Sequence, residues 1–188
     1  MWNPLLLEEF RSCIADLIEH PDIQKMNQIK QHVNGVSCLD HCIFVSYLSF
    51  SICKKFHLNA VAAARAGLLH DIGKIVIPPD VLFKEEKLTA VEFEQIQCHV
   101  LYGYHILCGS QEPFFQLAAN IAREHHERFD GSGYLGLHGR EIDRYARMTA
   151  VADVFDALTT ERTYKKAWSF EDGFLYILDH VGDFFDPE

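Results

Sequence analysis

Apolar residues recur at intervals of three and four along most of the chain, and the breaks between runs are rich in glycine, proline, asparagine and aspartate. A period near 3.6 belongs to helices that bury one face, so the pattern predicts an all-α chain. Helices are expected over about 5–19, 22–31, 38–56, 59–70, 89–108, 113–126, 143–160 and 169–181. Thr89-Ala-Val-Glu92 and Ser169-Phe-Glu-Asp172 fit the capping-box pattern and mark two of those starts. The best strand signal, Ile75-Val-Ile77, is weak and runs straight into two prolines, which cannot donate to a sheet.

Residues 1–31 read as a small N-terminal helical extension packed on a main bundle formed by 32–188. Two long loops interrupt that bundle, 72–88 and 127–140. The second, with glycines at 131, 133, 136 and 139 directly after a His-His pair, has the composition of a tight, exposed segment and the position of a substrate lid.

With 188 residues and 48% hydrophobic content the chain can bury one sizeable core. Its net charge of −10 argues against a DNA or RNA duplex as partner, because such proteins carry a basic face. An anionic substrate must therefore meet a local positive site, such as metal ions. The six cysteines (13, 38, 42, 53, 98 and 108) form no CxxC pair and read as reduced thiols of a cytoplasmic protein, Cys38 and Cys42 filling core. Charge interrupts every apolar run before the ~20 residues of a membrane span, so no membrane association is expected.

His41, His70, Asp71, His99, His125, His126 and Asp153 fall at or near the ends or interiors of predicted helices. Helical bundles assemble dinuclear metal sites from such side chains on separate helices. A histidine in such a place is also commonly just a hydrogen-bonded core or surface residue. Spacing alone leaves both readings open.

The wording around these residues resembles the HD superfamily of metal-dependent phosphohydrolases and, within it, the HD-GYP group. The resemblance runs from about Asp40 to Pro187 and is carried by "AARAGLLHDIGKIVIPPDVLFKEEKLTAVEFEQIQCHVLYGYHIL", "IAREHHERFDGSGYLG" and "ARMTAVADVFDALTTERTYKKAW", in the group's order. It implies an HD-domain helical bundle in which His41, His70, Asp71 and Asp153 hold one metal ion. Asp71 would bridge to a second ion held by His99 and His125, with His126 beside it. Lys74 matches a lysine near the reacting phosphate, Tyr134 the tyrosine over the substrate, and Arg162 and Lys165 positions that hold phosphate oxygens. Two divalent ions, iron or manganese, suit such histidine and carboxylate ligands, and a water bridging them could attack phosphorus in line. Asp156, one turn after Asp153, reads equally as an acceptor that orients a ligand and as a surface carboxylate. His32, His57, His105, His138 and His180 have no place in the matched pattern.

The chain departs from the group in four ways. Its motif is Gly133-Tyr134-Leu135 where the group has proline, which should loosen the loop. Ser37 stands where three-metal members carry glutamate, so two ions are expected. The segment around His41 looks more like other bacterial HD proteins, and after "GDFFDPE" the group's C-terminal helix is expected to be missing or truncated. The reading that follows is a phosphodiesterase of bacterial signalling that cleaves cyclic di-GMP to the linear dinucleotide or GMP, with a separate protein as a possible regulator. Its rivals are hydrolysis of another nucleotide or phosphoester, and a non-catalytic metal- or nucleotide-binding module. Oligomeric state is left open.

Overall fold

The computed structural model describes residues 4–30, 35–161 and 166–188. Those residues form α1 (Pro4–Ile18), α2 (Pro21–Gln24), α3 (Cys38–Lys55), α4 (Ala60–Leu68), α5 (Pro79–Leu82), α6 (Ala90–Gln97), α7 (His99–Leu107), α8 (Pro113–Glu124), α9 (Arg144–Thr159) and α10 (Phe170–Asp179), with short 3₁₀ segments between them. Apart from two isolated bridges, Lys30 to Ser37 and Val181 to Phe185, no strand pairing occurs among them. The all-α expectation holds, and no described helix is long and apolar enough to cross a membrane.

The bundle is built on α3, which packs against α4 and α9, while α8 packs against α4, α7 and α9. Cys42, Phe50, Ala64, Leu68, Ile121 and Ala146 are among the buried residues of one continuous core. Phe10 and Ile14 of α1 join that core. The Phe10 ring meets Tyr47 edge-on at 5.2 Å, and Arg65 of α4 holds Asp16 through two hydrogen bonds of 2.5 and 2.9 Å.

Three predicted helices end or break differently, and one strand signal is lost, each for a local reason. The run 22–31 is α2 followed by a 3₁₀ turn over Lys25–Gln28. The helix expected over 59–70 stops at Leu68, because the Gly67 carbonyl takes both the His70 amide and the His70 imidazole. The helix expected over 89–108 divides at Cys98. There the His99 imidazole donates to the Ile96 carbonyl at 2.7 Å, which an unbroken helix would commit to the amide four residues on. Ile75-Val-Ile77 is no strand: Ile72–Val76 is a 3₁₀ turn, and Ile77 turns extended ahead of Pro78.

Close backbone contact fixes how these pieces meet. A Cβ on Gly73 would lie 2.0 Å from the His99 carbonyl oxygen and 2.5 Å from the Gly103 nitrogen. Only glycine lets the turn after α4 sit directly on the first turn of α7. That contact brings the His70-Asp71 pair to His99.

Candidate metal centre

Helix ends deliver most of the polar side chains that converge here. Ser37 caps α3 one turn before His41: its hydroxyl accepts from the Asp40 amide at 3.1 Å and donates to the Asp40 carboxylate at 2.7 Å. His70 and Asp71 follow α4, His99 opens α7, and His125 and His126 close α8. Asp153 and Asp156 lie on α9. All but His126 are buried.

The imidazoles are oriented from behind. The Nδ1 of His70 meets the Gly67 carbonyl at 2.8 Å, that of His99 the Ile96 carbonyl at 2.7 Å, and that of His125 the Ala122 carbonyl at 3.1 Å. His41 Nδ1 meets Asp156 Oδ2 at 2.5 Å. A carbonyl can only accept, so in His70, His99 and His125 the Nδ1 carries the hydrogen and a neutral ring leaves a lone pair on Nε2. These nitrogens all face Asp71: His99 Nε2 stands 3.3 Å and His125 Nε2 3.7 Å from Oδ1, and His70 Nε2 3.5 Å from Oδ2. The Nε2 atoms of His99 and His125 are themselves 3.3 Å apart. His41 Nε2 completes the ring at 3.8 Å from Asp71 Oδ2 and 3.2 Å from Asp153 Oδ1.

Lone pairs thus point at carboxylate oxygens and at one another in a place closed to water. Among the described residues, neither His70 Nε2 nor Asp71 Oδ1 has a hydrogen-bond partner, which is costly for buried polar atoms unless cations join them. Burial holds the His70 imidazole down at about 3 and also lowers His99 and His126, so these rings are neutral and able to ligate. Burial would raise the Asp71 carboxyl, yet the Lys74 ammonium and the surrounding imidazoles hold it well below the usual range. His41 differs: burial opposes its charge, but hydrogen bonds to Asp153 and Asp156 lift it to about 10. These buried histidines and aspartates suit the metal site of an HD domain.

The structure brings together His41, His70, Asp71, His99, His125, His126 and Asp153, which the sequence singled out. Lys74 Nζ lies 2.5 Å from Asp71 Oδ2, and the Tyr134 ring packs 4.7 Å from that of His126. Arg162 and Lys165 lie outside the described residues. Asp156 is buried against His41 with Thr160 Oγ1 donating to its other oxygen at 2.8 Å, so it is no surface carboxylate. The Cys38 thiol, read from sequence as core filler, comes within 3.9 Å of Asp71 Oδ2.

Sequence reasoning missed Glu127, the residue after the histidine pair. It is buried, and its two oxygens accept the amides of Leu135 and Leu137, each at 2.7 Å. Proline has no amide hydrogen, so Leu135 gives the loop a bond that a GYP motif cannot make. The looser loop expected from the sequence is tied down at this point.

A carboxylate behind a ligand histidine fixes its ring and raises its basicity. Replacing Asp156 with alanine is therefore expected to weaken divalent metal binding by about 10- to 100-fold without unfolding the chain. Competitive metal titration beside a circular dichroism melt reads both, and unchanged affinity would remove Asp156 from the centre.

An all-helical bundle with imidazoles and carboxylates facing inward around a His-Asp pair is the arrangement of an HD protein. The sequence matches the HD domain family across residues 15–188, and the chain belongs to that family. It is 50% identical over 123 residues to the cyclic di-GMP phosphodiesterase response regulator RpfG of Xanthomonas campestris, covering 65% of this chain and 32% of that protein. It is 42% identical over 139 residues to the 3'3'-cGAMP-specific phosphodiesterase 2 of Vibrio cholerae, covering 70% of this chain and 27% of that one. The chain thus spans about a third or less of these relatives. Among solved structures, an HDG"Y"P protein of Bdellovibrio bacteriovorus shares the fold at TM-score 0.64 and 20% identity, covering 96% of this chain and 66% of that one.

Proposed function

We propose that this chain is a metal-dependent phosphodiesterase that opens a cyclic dinucleotide, with cyclic di-GMP as its substrate. The observation that carries the reading is the set of inward Nε2 atoms around a carboxylate with an unpartnered oxygen. Such a donor set fits two divalent ions, iron or manganese. His41, His70, Asp71 and Asp153 would hold one ion, and His99, His125 and His126, with Asp71, would hold the second. The Ser37 hydroxyl is committed to its helix cap, which supports two ions over three. When bound, such a pair supplies Lewis acidity, activating water and neutralising phosphoryl oxygens.

The chain's own groups do the rest. Asp71 keeps the anionic charge between the two halves of the centre. Lys74, next to Asp71, adds a cation on the side where phosphate charge develops. The Tyr134 ring packs tilted against that of His126, and the Glu127 carboxylate holds the same loop by accepting the Leu135 and Leu137 amides. Arg162 and Lys165, outside the described residues, are assigned to the phosphate oxygens by the family resemblance alone. Homology to proteins named for cyclic di-GMP and for 3'3'-cGAMP supports the dinucleotide class.

The chain, purified without oxygen and loaded with iron or manganese, is expected to convert cyclic di-GMP to the linear dinucleotide or GMP. Chromatography of the products, with and without a chelator, checks this. Intact cyclic di-GMP beside hydrolysed 3'3'-cGAMP would move the substrate within the class. If neither is hydrolysed while two metals are bound, the dinucleotide reading fails.

A further inference from the structure

We propose that the cleft beside His125 and His126 is a guanine-selective nucleobase subsite in which Arg128 reads the edge of the base. The inference deepens the proposed function and rests on it for the class of ligand. The cleft holds about 350 Å³, and Tyr134, Phe93, Gln97, Tyr176 and Phe184 are among its lining residues. That volume lies at the low end of small-molecule sites. Phosphate gains little from aromatic walls, whereas a flat base stacks on them.

Arg128, an exposed side chain, lines this cleft. Its guanidinium carbon lies 4.0 Å from the centre of the Phe184 ring. Phe184 stacks on His180 at 4.8 Å, and His180 on Tyr176 at 4.0 Å, so the arginine tops a ladder of planar groups. The ladder is tied to the loop that carries Arg128, because the Phe129 amide donates to the Phe184 carbonyl at 3.1 Å and the Asp130 amide to the Asp183 carbonyl at 2.7 Å. In a chain of net charge −10, Arg128 makes no ion pair among the described residues. Its nearest polar contact is a long one to Ser132 Oγ, 3.4 Å.

An arginine fork offers two parallel donors. Guanine presents O6 and N7, two acceptors at matching spacing, whereas adenine presents the N7 acceptor beside the N6 donor. The same fork therefore pairs with one purine and opposes the other. A role confined to attracting phosphate would not separate them.

Calorimetric titration of the whole chain with 5'-GMP and with 5'-AMP tests this, since the shared phosphate cancels from the ratio of affinities. GMP is expected to bind about tenfold more tightly than AMP. Arg128→Gln, whose amide suits adenine, is expected to bring the ratio to about one or invert it. The subsite is overturned if the substitution weakens both nucleotides equally, if the ratio is unchanged, or if neither nucleotide binds at millimolar concentration. Turnover plays no part in the measurement. A chain that hydrolyses no cyclic dinucleotide yet keeps the preference overturns the proposed activity and leaves the subsite in place.

Discussion

On the proposed reading, Asp71→Ala is expected to abolish binding of a metal pair and to cost at least about a thousandfold of phosphodiester hydrolysis, the scale of several kcal/mol of charge stabilisation. Among the described residues, Asp71 is the one carboxylate within 4 Å of the Nε2 atoms of His41, His70, His99 and His125 together. No neighbouring side chain can take over that position. Asp71→Asn sharpens the test. Its amide keeps the shape of the carboxylate but gives up the buried ion pair with Lys74, so the metal-free variant is expected to fold and to melt below the wild-type temperature while binding little metal. Metal analysis and thermal melts on both variants separate a lost ligand from a lost fold. Two full equivalents of metal in Asp71→Asn would remove Asp71 from its bridging role.

Gly73→Ala carries the second large effect. The new methyl would lie 2.0 Å from the His99 carbonyl oxygen and 2.5 Å from the Gly103 nitrogen, both backbone atoms. Backbone cannot rotate aside as a side chain can, so the turn after α4 must lift from α7. About 3 kcal/mol of lost stability is expected, at the upper end of overpacking, or roughly 6–12 °C in melting temperature. The same displacement pulls Asp71 away from His99, now 3.3 Å apart, so metal affinity falls with stability. Gly109→Ala is the control: a Cβ there meets nothing within 4 Å, and its melt is expected to match or slightly exceed the wild type. A Gly73→Ala melt within about 2 °C of wild type, well below the shift its packing cost implies, would deny the close approach.

Much of this was legible in the sequence, and the exceptions have a common origin. Apolar periodicity located the long helices because it records a buried face within one element. The break at Cys98 depends on where the His99 imidazole points, and the stop at Leu68 on the His70 imidazole; periodicity carries neither. The seven inward residues stood out through family wording, whereas spacing left them open, because their meeting point is a property of several helices at once. Asp156 sat at the right interval from Asp153, yet its partner is His41. Glu127 looked like one more charge in a polar stretch until the fold folded its loop back over it. Tyr176, His180 and Phe184 show the i, i+4 spacing of a stacked face, but only the backbone bonds of residues 129 and 130 place Arg128 above them.

The bond between His41 and Asp156 joins positions 115 residues apart, and the centre draws its other side chains from the ends of α4 and α8, the start of α7 and the middle of α9. Closing loops of that length costs conformational entropy that contacts within a helix do not recover. On the proposed reading, ions seated there act as a removable cross-link that favours only the folded chain. At a free concentration one hundred times the dissociation constant, one such site adds about 2.7 kcal/mol. Metal supply then governs survival as well as turnover: a starved chain opens more often and meets proteases unfolded, while a supplied one persists. The amount of this protein in a cell becomes a gauge of its divalent metal.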